Sequence, residues 1–216
     1  MIKIGKNLSE WSAYSCQPKT KKELKEIIDD RISKEGPNCD LNDIDVSLID
    51  DMSWLFYGLR FNGDISKWNT SKVKNMDSMF SDSVFNGDIS NWDVSNVNRM
   101  SHMFARSKFN GDISDWNVSN VEDMKYMFYE SEFNQDISKW NISNVTNVSC
   151  MFKSCEKFNC DISGWDVSNV KDMKGMFYEC ELFNQDISNW DVSKVKNFKN
   201  IFLNCTIEDK YKPKFK

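Results

Sequence analysis

The chain has 216 residues, 40% hydrophobic and 13% aromatic, enough to bury a sizeable core and far from a disordered composition. Its net charge of −5 argues against binding driven by nucleic-acid phosphates, which needs a basic surface. No run of about 18 apolar residues is present, so no spanning helix and no membrane insertion are expected.

The opening stretch, MIKIGKNLSEWSAYSCQPKTKK, lacks an apolar core and a small-residue cleavage site, so it does not read as a signal peptide. Seven cysteines, an odd number, fit a reducing compartment. Asn7, Asn69, Asn117, Asn141, Asn144, Asn147 and Asn204 each head an Asn-x-Ser/Thr triplet, and glycans at so many sites would collide with regular structure. A cytoplasmic or bacterial setting avoids that conflict.

Residues 20–35, TKKELKEIIDDRISKE, predict an amphipathic helix. Thr20 and Glu23 form a capping-box signal, and Gly36-Pro37 stops the helix. Leu24, Ile27, Ile28 and Ile32 can cover the first repeat, which makes residues 1–43 an N-terminal cap.

Residues 44–205 are repetitive. Phe61, Phe85, Phe109, Phe133, Phe158 and Phe183 recur every 24 or 25 residues, each with a Trp seven positions on, from Trp68 to Trp190. The consensus is F-N-x-D-I-S-x-W-[ND]-V-S-x-V-x-x-M-x-x-M-F. Half a unit, from Asp45 to Phe56, comes first and puts Met52 and Phe56 in register with Met76 and Phe80. In each unit W-x-V alternates as a short half-buried strand does. V-x-x-M-x-x-M-F puts apolar groups on one side of a short helix or 3-10 segment. One unit cannot bury its own apolar groups and finds a core only between neighbours. The expected fold is an α/β solenoid, a leucine-rich-repeat-like coil of about six and a half repeats. Short strands line one face, helical or 3-10 segments the other, with the helix as N-terminal cap. Residues 206–216 form a charged tail that discourages edge pairing.

FNxDISxWDVSxVxxMxxMF resembles a repeat family of unknown function found in mycoplasma lipoproteins and grouped with BspA-like leucine-rich-repeat surface proteins. The same repeats occur in large protist-infecting DNA viruses. The resemblance covers about residues 20–205. It implies a solenoid with a strand-lined concave face and roles in adhesion and host or partner binding, and it carries over no catalytic residue. Abundant Lys, Asn and Ile fit an AT-rich genome, and the unpaired cysteines point to a giant-virus member. The chain would then act in the host cytoplasm or virion, and a surface location is disfavoured.

Six aspartates recur in register: Asp64, Asp88, Asp112, Asp136, Asp161 and Asp186. They are expected to accept backbone N–H bonds where the chain bends, with a calcium row as the alternative. Asn62, Asn86, Asn110, Asn134, Asn159 and Asn184 are expected to form a structural ladder beside them. Cys155, Cys180 and Cys205 continue the column of Ser83, Ser107 and Ser131, which reads as a small buried slot rather than a metal site. His102 is the single histidine, in a variable slot, and no catalytic constellation or nucleotide-binding loop is present, so no enzyme, cofactor or metal is expected.

The expected working surface is the outward side of the predicted strands: Lys67, Asn69, Asn91, Asp93, Asp115, Asn117, Lys139, Asn141, Asp166, Asn189 and Asp191. Tyr57, Tyr126, Tyr129 and Tyr178 lie in the other half of the unit, and a contact through that side competes with it. The expected function is a non-enzymatic scaffold for a protein partner. The alternatives are a self-associating or virion component, and a calcium-stabilised adhesin-like surface protein.

Overall fold

The computed structural model of the protein describes residues 14–216; the start of the predicted cap, residues 1–13, lies outside them, with Asn7 and most of the stretch read for a signal peptide. Helix α1 runs Lys21–Glu35. Thr20 Oγ1 accepts the Glu23 N–H, and Glu23 Oε2 reaches back to the Lys19 N–H. Gly36, at φ 92°, ends the helix by donating to Ile32 O. Leu24 and Ile28 are fully buried against the first repeat.

Beyond α1 the structure corrects the predicted fold class. Among the described residues the only other helical element is a 3-10 turn at Asp209–Tyr211, and there is no strand. Neighbouring repeats meet through isolated parallel bridges, such as Asp51 with Asn75 and Asn75 with Arg99. The chain is mostly turn and coil, so neither the strand-lined face nor the helical or 3-10 face of a leucine-rich-repeat-like α/β solenoid is present.

Two features of the repeat explain this. The first is how often it turns. In residues 109–132, Asp112 Oδ1 accepts the Ser114 N–H, Asn117 Oδ1 the Ser119 N–H, and Asp123 Oδ1 the Lys125 N–H. Each of these Asx turns leads into a β-turn, closed by Trp116 to Ile113 O, Val121 to Val118 O and Met127 to Met124 O. Three corners so close together leave no length for a strand. Arg99 occupies the third corner of its repeat and lacks the needed oxygen. Asp77 of the preceding repeat supplies it, accepting Ser101 N–H at 2.9 Å and Arg99 Nε at 2.7 Å.

The second feature is direction. From Met52 onward every other residue of the Met-Phe segment donates its N–H to the next repeat. Met100, His102, Phe104 and Arg106 bond to the carbonyls of Asp123, Lys125, Met127 and Tyr129 at 2.7–3.2 Å. The intervening carbonyls accept from the repeat before, and the intervening N–H groups close local turns. In a β-strand each edge alternates donors with acceptors. Here the edge facing the C-terminal end carries donors and the edge facing the N-terminal end carries acceptors. Holding that arrangement requires left-handed backbone at two slots per repeat, as at Ser78 (φ 55°) and Asp82 (57°), and at His102 (57°) and Arg106 (52°).

Columns of like side chains fill the centre. Phe56, Phe80, Phe104, Phe128, Phe152, Phe177 and Phe202 stack ring on ring at 5.4–5.8 Å. The Trp column is buried, and each indole N–H donates to a carbonyl of the preceding repeat, as Trp116 to Ile89 O at 3.1 Å. A buried indole without such a partner would cost the desolvation of its N–H. The Cys155 thiol donates to Phe128 O, and burial pushes its pKa up to about 12.

The corner carboxylates make the stack acid-sensitive. Hydrogen bonds from the serine two residues on hold Asp64, Asp93, Asp112, Asp136, Asp166, Asp186 and Asp191 below the usual carboxylate range. A folded-state pKa below the unfolded value gives stability that is present above the unfolded pKa and lost as pH falls through the folded one. The melting temperature should therefore hold steady down to about pH 5 and drop steeply below about pH 4. Circular-dichroism melts check this; a midpoint unchanged at pH 3 would contradict it.

Candidate partner-binding surface

The predicted surface residues Lys67, Asn69, Asn91, Asp93, Asp115, Asn117, Lys139, Asn141, Asp166, Asn189 and Asp191 are all exposed. Several already have local work. Asn69, Asp93, Asn117, Asn141, Asp166 and Asp191 each give Oδ1 to the N–H of the serine two residues on. Asn189 donates to Ser163 O. Lys67, Asn91, Asp115 and Lys139 remain, exposed polar side chains with no aromatic ring among them.

The predicted ladder residues lie beside it. Asn62, Asn86, Asn110, Asn134, Asn159 and Asn184 each accept the backbone N–H one repeat on, at 2.7–3.1 Å, the last from Glu208. Asp64, Asp88, Asp112, Asp136, Asp161 and Asp186 accept from Ser66, Ser90, Ser114, Ser138, Ser163 and Ser188 at 2.9–3.0 Å. Among the described residues no group of three or more His, Cys, Asp or Glu side chains is placed to hold a metal ion. A second ladder escaped the sequence reading: Asn96, Asn120, Asn144 and Asn169 donate to Ser71, Ser95, Ser119 and Ser143 carbonyls.

The Met-Phe segment presents a different chemistry. Its left-handed slots and their neighbours change from repeat to repeat; Ser78 and Cys150 are buried, His102, Tyr126 and Tyr129 are half-buried, and Arg106 is exposed. The His102 ring stacks on Tyr126 at 4.6 Å, and Tyr126 meets Tyr129 edge-on at 5.5 Å. Arg106 lies 5.5 Å over Tyr129, and Lys153 sits 5.6 Å over Tyr129 and 4.6 Å over Tyr178. Burial, reinforced by Lys125, lowers the His102 pKa, so the ring is neutral at pH 7. Glu130 beside Tyr129 pushes that phenol up to about 12, which keeps it a hydrogen-bond donor. Charges rim the cluster in pairs. Arg106 lies between Asp82 and Glu130, and Glu132 between Lys108 and Lys157, which hold its carboxyl down to about 2. Further toward the N-terminal end Trp54 and Tyr57 stand exposed, edge to face at 4.9 Å.

The arrangement is a rigid aromatic and cationic patch on a packed support. Tyr, Trp and Arg are the side chains that concentrate binding energy at protein interfaces. Periodicity indicated that these slots vary; it could not show that left-handed backbone turns them to the same side.

Among the described residues no helix is long and apolar enough to cross a membrane. No curated protein and no solved structure matches the chain. A family model described as Mycoplasma protein of unknown function, DUF285, matches residues 23–132 and again residues 107–212. The two overlapping matches take in nearly all of α1, every repeat and most of the tail, and the chain belongs to that family of repeat proteins.

Proposed function

We propose that this protein is a non-enzymatic scaffold that binds a protein partner through the Met-Phe side of the stack. The observation that carries the reading is the cluster of His102, Arg106, Tyr126, Tyr129, Lys153 and Tyr178, ordered ring to ring on repeats whose interior hardly changes. Such a surface binds without the cost of ordering loops first. It is favoured over the side that carries Lys67, Asp115 and Lys139, which offers no aromatic ring and where Asn69, Asp93 and Asn117 already give an oxygen to Asx turns. On the host- or partner-binding role that the resemblance implies, the partner is a host protein.

The test compares two variants. Partners are crosslinked in native cells and identified, and their affinity for purified protein is measured. Tyr126→Ala with Tyr129→Ala should weaken binding by roughly 2 kcal/mol per tyrosine, the scale of an interface hot spot. Lys67→Ala with Asp115→Ala and Lys139→Ala should leave it within about threefold. The reverse pattern would place the contact on the other side and reject the proposal.

A further inference from the structure

Along the Met-Phe segment four N–H groups per repeat donate forward and outnumber the backbone bonds that run back, such as Asn98 N–H to Lys74 O, which leaves the two ends of the stack unlike each other. At the N-terminal end the carbonyls of Asp51, Ser53, Leu55 and Tyr57 have no preceding repeat to accept from. At the C-terminal end Phe198, Asn200, Phe202 and Asn204 occupy the slots that donate forward in every earlier repeat. Their N–H groups have no acceptor among the described residues. Peptide dipoles aligned through the stack add, as in a helix, so the first end carries partial negative charge and the last partial positive.

The N-terminal end is covered and electrically matched. Helix α1 lies over it, and Lys21 Nζ reaches Asp51 Oδ2 and Ser53 Oγ at 2.8 Å. Lys22, Lys25 and Glu26 line the same cleft, with Trp54 and Leu55; Lys22 pairs with Glu26 and Lys25 with Asp29, so Lys21 is the charge that meets the row. The C-terminal end is neither. The tail covers the apolar centre through buried Ile207 and Pro213 and stacks Phe215 on Phe198 at 4.6 Å. Asn200 and Asn204 stay exposed beside it, with Phe198 38% and Leu203 45% accessible. The charge near that row is positive. Residues 194–216 hold seven lysines against Glu208 and Asp209, in a chain whose net charge is −5.

We propose that this end is a docking edge for an extended acidic peptide segment of another protein. The partner's main-chain carbonyls would take the four N–H groups as the next repeat would, its carboxylates would meet the lysines, and an apolar side chain would cover Phe198 and Leu203. The edge is separate from the aromatic patch and stands or falls separately. A second copy of this chain is a poor occupant. End against like end sets donors against donors, and α1 blocks the carbonyl row that could pair head to tail.

The probe is a synthetic Glu-Val-Glu-Val-Glu peptide with blocked ends, titrated into the whole ¹⁵N-labelled protein, with a Lys-Val-Lys-Val-Lys peptide and a single-stranded RNA of similar length as comparisons. The acidic peptide should shift the amides of Phe198, Asn200, Phe202 and Asn204 with an affinity that falls as salt rises, and the lysine peptide should not. Lys196→Glu with Lys199→Glu, two exposed lysines, should weaken it about tenfold at an unchanged melting temperature. Four unmoved amides, tighter binding of the RNA, or concentration-dependent self-association through this end would each overturn the assignment.

Discussion

Replacing Phe128 by alanine should destabilise the protein by about 3–5 kcal/mol, among the largest effects of any single truncation in the stack. The side chain is fully buried. Its ring lies 5.7 Å from Phe104 on one side and 5.7 Å from Phe152 on the other, and 4.0 Å from Phe133 of the next repeat. The surrounding backbone cannot collapse into the vacancy. The Phe128 N–H is fixed to Met151 O, and its carbonyl takes the Cys155 thiol. A repeat has only its two neighbours, so loss at the centre weakens both interfaces at once. Phe198→Ala at the open end should cost about 1 kcal/mol or less, because that ring is 38% exposed. Urea unfolding of both variants at one pH checks the contrast. A cost under about 1 kcal/mol at Phe128 would show that the column does not hold the stack together.

The contrast also marks what was legible in the sequence. Phe and Trp columns announce a shared core, because a unit of 24 residues has no other means of hiding them, and the structure buries both columns. The register of Asp and Asn was equally plain. The local conformation was not. W-x-V has the alternation of a strand and V-x-x-M-x-x-M-F the spacing of a short helix, yet each motif spans too few residues to separate a regular element from a succession of turns. The deciding signal was the recurring Asx, whose oxygen takes the N–H two residues on, in residues 109–132 a serine at the first two corners and Lys125 at the third, and ties the backbone into a corner before a strand can extend. No composition reveals the left-handed slots. The first of the two holds Trp54, Ser78, His102, Tyr126, Cys150 and Asn200, with a glycine at Gly175, and the second holds Asp82, Arg106, Glu130, Ser154, Glu179 and Asn204, with a glycine at Gly58. Tertiary hydrogen bonding, rather than residue preference, imposes the conformation there. The side that carries Tyr57, Tyr126, Tyr129 and Tyr178 could be named from the sequence as the competing surface, but its geometry could not, since those slots help decide how His102, Tyr126 and Tyr129 come ring to ring.

That conclusion makes proline at such a slot the second severe substitution. Ser78 is buried, has φ 55°, and donates its N–H to Ser101 O at 2.8 Å. Proline would pin φ near −65° and delete the donor, which leaves a buried carbonyl on the next repeat unpaired. The expected loss is about 3 kcal/mol or more. Glycine separates the two causes. It keeps the N–H and relieves a left-handed strain of roughly 1–2 kcal/mol, offset by about 0.5–1 kcal/mol of extra freedom in the unfolded chain. Ser78→Gly should therefore be neutral to slightly stabilising, and Ser78→Ala should stay close to the parent. Denaturant midpoints order the three variants, with glycine at or above alanine and proline far below both. If proline cost no more than alanine, the forward N–H bonds would not be what joins repeat to repeat, and the one-way backbone, on which the unlike ends of the stack depend, would lose its physical basis.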